Sequence, residues 1–172
     1  LMYNPSCSSD SVYVFKVLDG GFLDPKGVLA MYNDWHNHLE WSLVPNEAQK
    51  YTHLANKQQD PREKSGIIGA FCRTYDIYRA MDELIPGVYL STEHENRYTY
   101  SGGSTSGGAI VYNGLWLYSH HATDPASGRL CNAWDLVRLH KFSDLDVDVK
   151  PDTPTNKLPS YLAMAELVKS IK

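Results

Sequence analysis

The 172-residue chain is 42% hydrophobic and 21% charged, with a formal net charge of −4. That is enough for one domain whose core needs no staples, and no apolar run approaches the roughly 18 residues of a membrane span. The acidic balance supplies no basic face for nonspecific binding to a phosphate backbone, so any nucleic-acid contact must be local.

Cys7, Cys72 and Cys131 are odd in number and widely spaced, which excludes a disulfide framework and a CxxC metal pair and fits a reducing, cytoplasmic setting. The opening LMYNPSCSSD has no basic region followed by an apolar stretch, so no secretory signal is legible. A start at Leu1-Met2 reads as a piece of something longer.

Ser11 to Val17 is β-branched and aromatic, ends at Asp19-Gly20-Gly21, and predicts a strand closing in a turn. Asp24-Pro25 offers an N-cap with proline at the first helical position, ahead of Val28, Leu29, Tyr32 and Trp35 on one helical face. Residues 1–35 thus read as the end of a preceding module or an N-terminal strand and helix. Residues 36–64 are polar, contain Pro45 and Pro61, and read as a connector with one helix between Asn46 and Lys57. Within it, His36-Asn37-His38 builds no visible nuclease metal fold, and Trp35, His36 and Trp41 read as anchors of a helix end.

Residues 65–142 form the expected core unit. Ile67, Ile68, Phe71 and Cys72 make one helical face, and Asp76 caps a second helix carrying Ile77, Ala80, Met81 and Leu84, so the pair reads as a helical hairpin. Arg97 to Tyr100, Ala109 to Tyr112 and Leu115 to Ser119 read as strands, the last two joined by Asn113-Gly114 in a type I′ turn. Helix resumes near Asn132, with Ala133, Leu136, Val137 and His140 on one side. Residues 143–172 read as an acidic linker, stiffened and extended by Pro151, Pro154 and Pro159, and a helix from about Ser160. The expected fold class is α+β: a small antiparallel sheet with its hairpin at 109–119, packed with several short helices.

Chemistry concentrates between Tyr98 and Phe142. The glycine-rich turn 102–108 offers backbone N–H groups and the hydroxyls of Ser104 and Thr105, either as a structural loop or as a phosphate contact. It lacks the ending of a P-loop. His120, His121 and Asp124 cluster at a strand end, where imidazole and carboxylate suit a metal or a scissile phosphate, with Cys131 or His140 as further conceivable ligands. Adjacent strand residues point to opposite faces, so the two histidines are not expected to serve one site. The structural alternative packs one histidine into the sheet and makes Asp124-Pro125 a turn starter. Asp135 and Arg138, three apart, read as a solvated ion pair. Cys72 reads as a buried thiol.

Several of these segments, in order, resemble the virulence-associated E family of phage and prophage primase-helicases. They are Leu1 to Ser6, Gly66 to Arg73, Arg97 to Tyr100, Ser119 to Pro125, Leu130 to Arg138 and Asn156 to Ser160. The resemblance implies an archaeo-eukaryotic-type primase module followed by a helicase, with this stretch C-terminal to the primase catalytic module. The metal-binding carboxylates would then lie upstream of Leu1. Asp144, Asp146 and Asp148 sit in the linker rather than in a strand, so the chain is not expected to be catalytic on its own.

The expectation is therefore an accessory domain of a phage DNA replication primase-helicase that binds single-stranded DNA or nucleotide, with no metal or other cofactor. Arg97, Tyr98, Tyr100, Ser104, Thr105, His120, His121, Asp124 and Arg138 would be the working surface, tyrosines stacking bases while hydroxyls and arginines meet phosphate. Its partners would be the primase and helicase modules of the same system. The alternative is a protein-interaction module of a mobile element that docks replication proteins or inhibits a host factor, with Trp41 and Trp116 as anchors.

Overall fold

The computed structural model describes residues 24–37, 40 and 58–171, and the chain divides into two units, Leu1–Trp35 and His36–Lys172. The strand expected over 11–17 and the helix expected between Asn46 and Lys57 lie outside the described residues. In the first unit, Asp24 accepts hydrogen bonds from the amides of Lys26 and Gly27, each at 3.1 Å. With Pro25 behind that cap, helix α1 forms over Pro25–Leu29 and buries none of its residues.

Among the described residues of the second unit, a 3₁₀ turn at Pro61–Glu63 leads into α2, Gly66–Thr74, and α3, Ile77–Glu83. Asp76 caps α3 by accepting from the Arg79 amide at 2.8 Å. The glycine inside α2 has a steric cause: a Cβ on Gly69 would stand 1.6 Å from the Lys64 carbonyl oxygen. Both helices pack on α4, Ala133–Phe142, which Asn132 caps through the Asp135 amide at 2.9 Å.

Among the described residues, five antiparallel strands form one meander, in spatial order equal to chain order: β1 Tyr89–Ser91, β2 Arg97–Tyr100, β3 Ala109–Tyr112, β4 Trp116–Ser119 and β5 Leu130–Cys131. With the short helices this is an α+β fold. Strands β1 and β5 have three and two residues, too short for alternation to announce them.

Asn113 and Gly114 both have positive φ, 54° and 67°, and Leu115 N–H returns to the Tyr112 carbonyl at 3.1 Å, as a type I′ turn requires. Leu115 is nevertheless left out of the ladder, because Tyr112 pairs with Trp116 and Val111 with Leu117. Starting β4 one residue later decides which side chains face inward. Leu117 enters the main core with Val111, while Trp116 joins Tyr112 in a separate cluster on the other face.

The main core lies between the inner sheet face and α2, α3 and α4. Trp134 is its largest fully buried side chain, and Phe71 meets it edge-on with ring centroids 5.8 Å apart. Leu117, Leu136, Val137 and Ile77 are fully buried, each contributing about 1.5–3 kcal/mol of transfer free energy.

The segment after α4 is not the extended linker its prolines suggest. Ser143–Asp146 is a short 3₁₀ turn, and Asp146 accepts from the Ser160 amide at 2.9 Å and the Ser160 hydroxyl at 2.5 Å. That carboxylate ties the segment to the first turn of α5, Pro159–Ser170, which packs back on α4. No helix among the described residues is long and apolar enough to cross a membrane.

Candidate functional site

Beneath the sheet, Tyr89, Asp124 and His140 form a buried polar triangle. The Tyr89 hydroxyl donates to Asp124 Oδ2 at 2.8 Å. That hydroxyl has one proton to give, so its 2.8 Å contact with His140 Nε2 is accepted from the imidazole, which assigns the His140 proton to Nε2. The same nitrogen lies 3.3 Å from Asp124 Oδ1, and Oδ1 also accepts from the Ala126 amide at 2.8 Å. Burial alone would raise the Asp124 carboxyl, but hydrogen bonds from His140, Ser119, the Ala126 amide and Tyr89 outweigh it and hold the group below the usual carboxylate range. Burial, reinforced by the neighbouring Asp124 carboxylate, pushes the Tyr89 phenol well up, so it acts as a neutral donor.

His121 anchors a second, adjoining network. The Tyr100 amide donates to its Nε2 at 3.2 Å, which places the ring proton on Nδ1, 3.1 Å from Thr105 Oγ1. Burial lowers the His121 pKa, with the Tyr98 backbone and Asp124 acting in the opposite direction. The glycine-rich turn closes over this ring. A Cβ on Gly103 would lie 3.1 Å from His121 Nδ1, and one on Gly102 would lie 2.9 Å from the Tyr100 ring. Thr123 ties the turn down by donating to the Gly102 carbonyl at 3.2 Å. Close approach to side chains within the fold therefore explains these two glycines.

The nine residues expected on one working surface are distributed over several places. Tyr98 and Tyr100 lie half-buried on the helix-facing side of β2, Tyr98 against Tyr78 with ring centroids 6.3 Å apart and Tyr100 among Tyr89, His121 and His140. Arg97 points to the opposite face and donates to the Gly107 carbonyl at 3.2 Å. Ser104 is exposed, while His120 is exposed with its ring edge-on to Tyr118 at 4.8 Å. His121 and Asp124 are buried, and the Asp124 side chain does start a turn, through Ala126. Among the described residues, no three His, Cys, Asp or Glu side chains gather closely enough to hold a metal ion.

Arg138 is the largest departure from expectation. Its pairing with Asp135 spans 3.7 Å and its side chain is 8% exposed, so the pair is not a solvated surface contact. Packing of α4 against α5 draws the guanidinium inward, where Nη1 donates to Ser160 Oγ at 2.8 Å and stands 3.7 Å from Asp146 Oδ2. Its buried Nε has no hydrogen-bond partner among the described residues. A cleft of about 610 Å³ opens beside it, walled by Thr123, Asp124, Arg129, Arg138, Ser143, Asp146, Lys150, Thr153 and Thr155 with apolar residues between them.

Residue-by-residue reading misses Tyr89, Arg129, Lys150 and Ser160. Tyr89 sits in a strand too short for a period, and Asp146 and Ser160 meet across a proline-rich segment with no spacing rule to join them. Trp116, offered as an anchor for a partner, is 3% exposed and packed with Tyr112. Trp41 lies outside the described residues.

Comparison with known proteins adds one finding. No curated protein and no solved structure matches the chain. Residues 1–44 match the family model of the VapE N-terminal domain. The match covers 44 of 172 residues; it supports a virulence-associated E-type protein and carries neither the primase assignment nor a place C-terminal to a primase module.

Proposed function

We propose that this chain is an accessory module of a virulence-associated E-type replication protein from a mobile element, and that it binds nucleic acid or nucleotide by holding phosphate in the cleft beside α4. In this reading it works next to the primase and helicase modules of the same system. The observation that carries it is the cleft itself, whose wall presents the exposed cations Arg129 and Lys150 with Thr123, Thr153 and Thr155 around them, while Arg138 at its α4 side is held by Ser160 and faces Asp135 and Asp146. Exposed guanidinium and ammonium groups suit phosphate, arginine through its planar fork and lysine as a point charge.

The test is fluorescence anisotropy with labelled oligonucleotide and nucleotide at low and raised salt. Binding that weakens as salt rises is expected. No binding of either ligand at low salt contradicts the proposal.

The protein-interaction reading retains one supporting observation. Leu145 is exposed within the short turn that packs on α5 and Val147 just after it, and Leu162 is exposed on α5 itself. Loss of partner capture on changing these three residues, in a protein that binds no nucleic acid, would favour it.

A further inference from the structure

The cleft beside α4 has walls of two kinds. Thr123, Pro125 and Arg129 belong to the turn after β4 and Leu139 to α4, whereas Val149, Lys150, Pro151, Thr153, Thr155 and Leu158 all come from the segment 147–158. That segment is built like an Ω-loop, its ends drawn together while the chain between them crosses the surface. At its foot, Asp146 Oδ1 accepts from the Ser160 amide at 2.9 Å and Asp146 Oδ2 from the Ser160 hydroxyl, whose oxygen in turn accepts from Arg138 Nη1 at 2.8 Å. Arg138 is itself steadied on α4, its Nη2 standing 3.7 Å from Asp135 Oδ1. We infer that residues 147–158 are a strap over the cleft that opens and closes as one body, with the contact between Asp146 and Ser160, held from α4 by Arg138, as its latch. What the strap admits rests on the phosphate-binding reading above; its opening does not.

The strap and its latch differ sharply in how they are held. No residue of 147–158 is buried: Val149, Thr153 and Leu158 are half-buried and the others exposed. The amides of Val149, Thr153, Lys157 and Leu158 reach only three residues back, to the carbonyls of Asp146, Lys150, Pro154 and Thr155, at distances between 2.8 and 3.2 Å. Among the described residues, none of the strap's side chains forms a hydrogen bond or an ion pair. A segment with so little buried surface and no cross-link to the rest of the fold opens well below the free energy of global unfolding. Pro151 and Pro154 fix backbone angles inside it, which moves the hinge to its ends. The latch, by contrast, is buried, with Ser160 0% and Arg138 7% exposed. Lys150 rides on the strap while Arg129 stays on the turn after β4, so an anion spanning the two is held only when the strap is down, and its presence keeps the strap down in return.

Amide hydrogen exchange of the full chain, followed by NMR at rising urea below the unfolding transition, tests the latch directly. The Ser160 amide stands in the first turn of α5 and has no intrahelical partner, so Asp146 is what protects it. Its exchange is expected to pass through a local opening with little urea dependence, while the amides of Leu136 and Val137 in α4 exchange only by global unfolding. Ser160→Ala removes the hydroxyl and leaves the amide, and should speed exchange at that amide about fivefold to tenfold without changing Leu136 or Val137. Circular dichroism establishes whether the variant folds; if it does not, the urea series on the unaltered chain still decides. Exchange at Ser160 with the same urea slope and rate limit as Leu136 and Val137 overturns the inference, because the strap then opens only with the whole domain. Inorganic tripolyphosphate should slow the Ser160 amide as it saturates. Tripolyphosphate that binds without slowing it overturns the gating while leaving the phosphate-binding reading intact. Local opening at Ser160 with no tripolyphosphate binding supports the strap and counts against that reading.

Discussion

The Tyr89 hydroxyl donates to Asp124 Oδ2 at 2.8 Å across 35 residues of chain, joining the first strand of the sheet to the turn that follows the fourth. Both partners are buried, with Asp124 4% and Tyr89 8% exposed. Tyr89→Phe keeps the ring and its edge-on contact with His140 but removes the donor to one buried group and the acceptor for another. The expected cost is about 2–3 kcal/mol, since buried polar groups stripped of a partner lose more than an average hydrogen bond is worth. Urea unfolding of the two proteins measures it, and a difference near zero would mean the triangle is not closed in solution.

His121 gives the fold a dependence on pH. Its folded pKa lies below the ordinary 6.5 because burial disfavours the imidazolium. Between those two values the unfolded chain binds the proton and the folded chain does not, so stability is fully present above about pH 6.5 and declines as pH falls toward the folded value. His121→Gln places an amide oxygen where the Tyr100 amide can still be accepted and removes the titration. The expected outcome is lower stability at pH 8, by about 1–2 kcal/mol for the altered hydrogen bonding, with a flatter decline between pH 7 and pH 5. Asp124, held below 3.8, contributes a separate loss at more acidic pH that both proteins share. Unfolding midpoints across pH 2–8 check both statements.

Gly69→Ala is the substitution in α2 most strongly opposed by geometry. Alanine normally stabilises a helix interior by about 1 kcal/mol over glycine, but here the added carbon meets the Lys64 carbonyl at 1.6 Å and the backbone before α2 must move. A net loss of about 1–3 kcal/mol is expected from the overpacking. Thermal melts that show a gain instead would mean the chain entering α2 is free to shift.

What the sequence makes legible follows from how local the signal is. The caps at Asp24 and Asp76 and the helix start near Asn132 are recoverable because cap and helix are contiguous, and the strands at 97–100 and 109–112 because aromatic and β-branched residues cluster between turn residues. The start of β4 slips by one because Asn113-Gly114 announces a turn type without fixing whether Leu115 joins the ladder. In the candidate site, His121 and Asp124 are visible as polar residues near a strand end, but their partners Tyr89 and His140 come from distant segments. Arg138 is legible as a helix residue with an acidic neighbour three positions away. Its burial is not, because that depends on α5 folding back through Asp146 and Ser160.

The central claim is that the cleft beside Arg138 receives phosphate. The most direct measurement is heteronuclear NMR of the full chain titrated with tripolyphosphate, following the Arg138 Nε–H together with the backbone amides. The account predicts saturable shifts of Arg138 Nε–H and of the Thr123 and Thr153 amides, with the glycine turn 102–108 moving little. Shifts confined to that turn, with the Arg138 Nε–H unmoved, would contradict it.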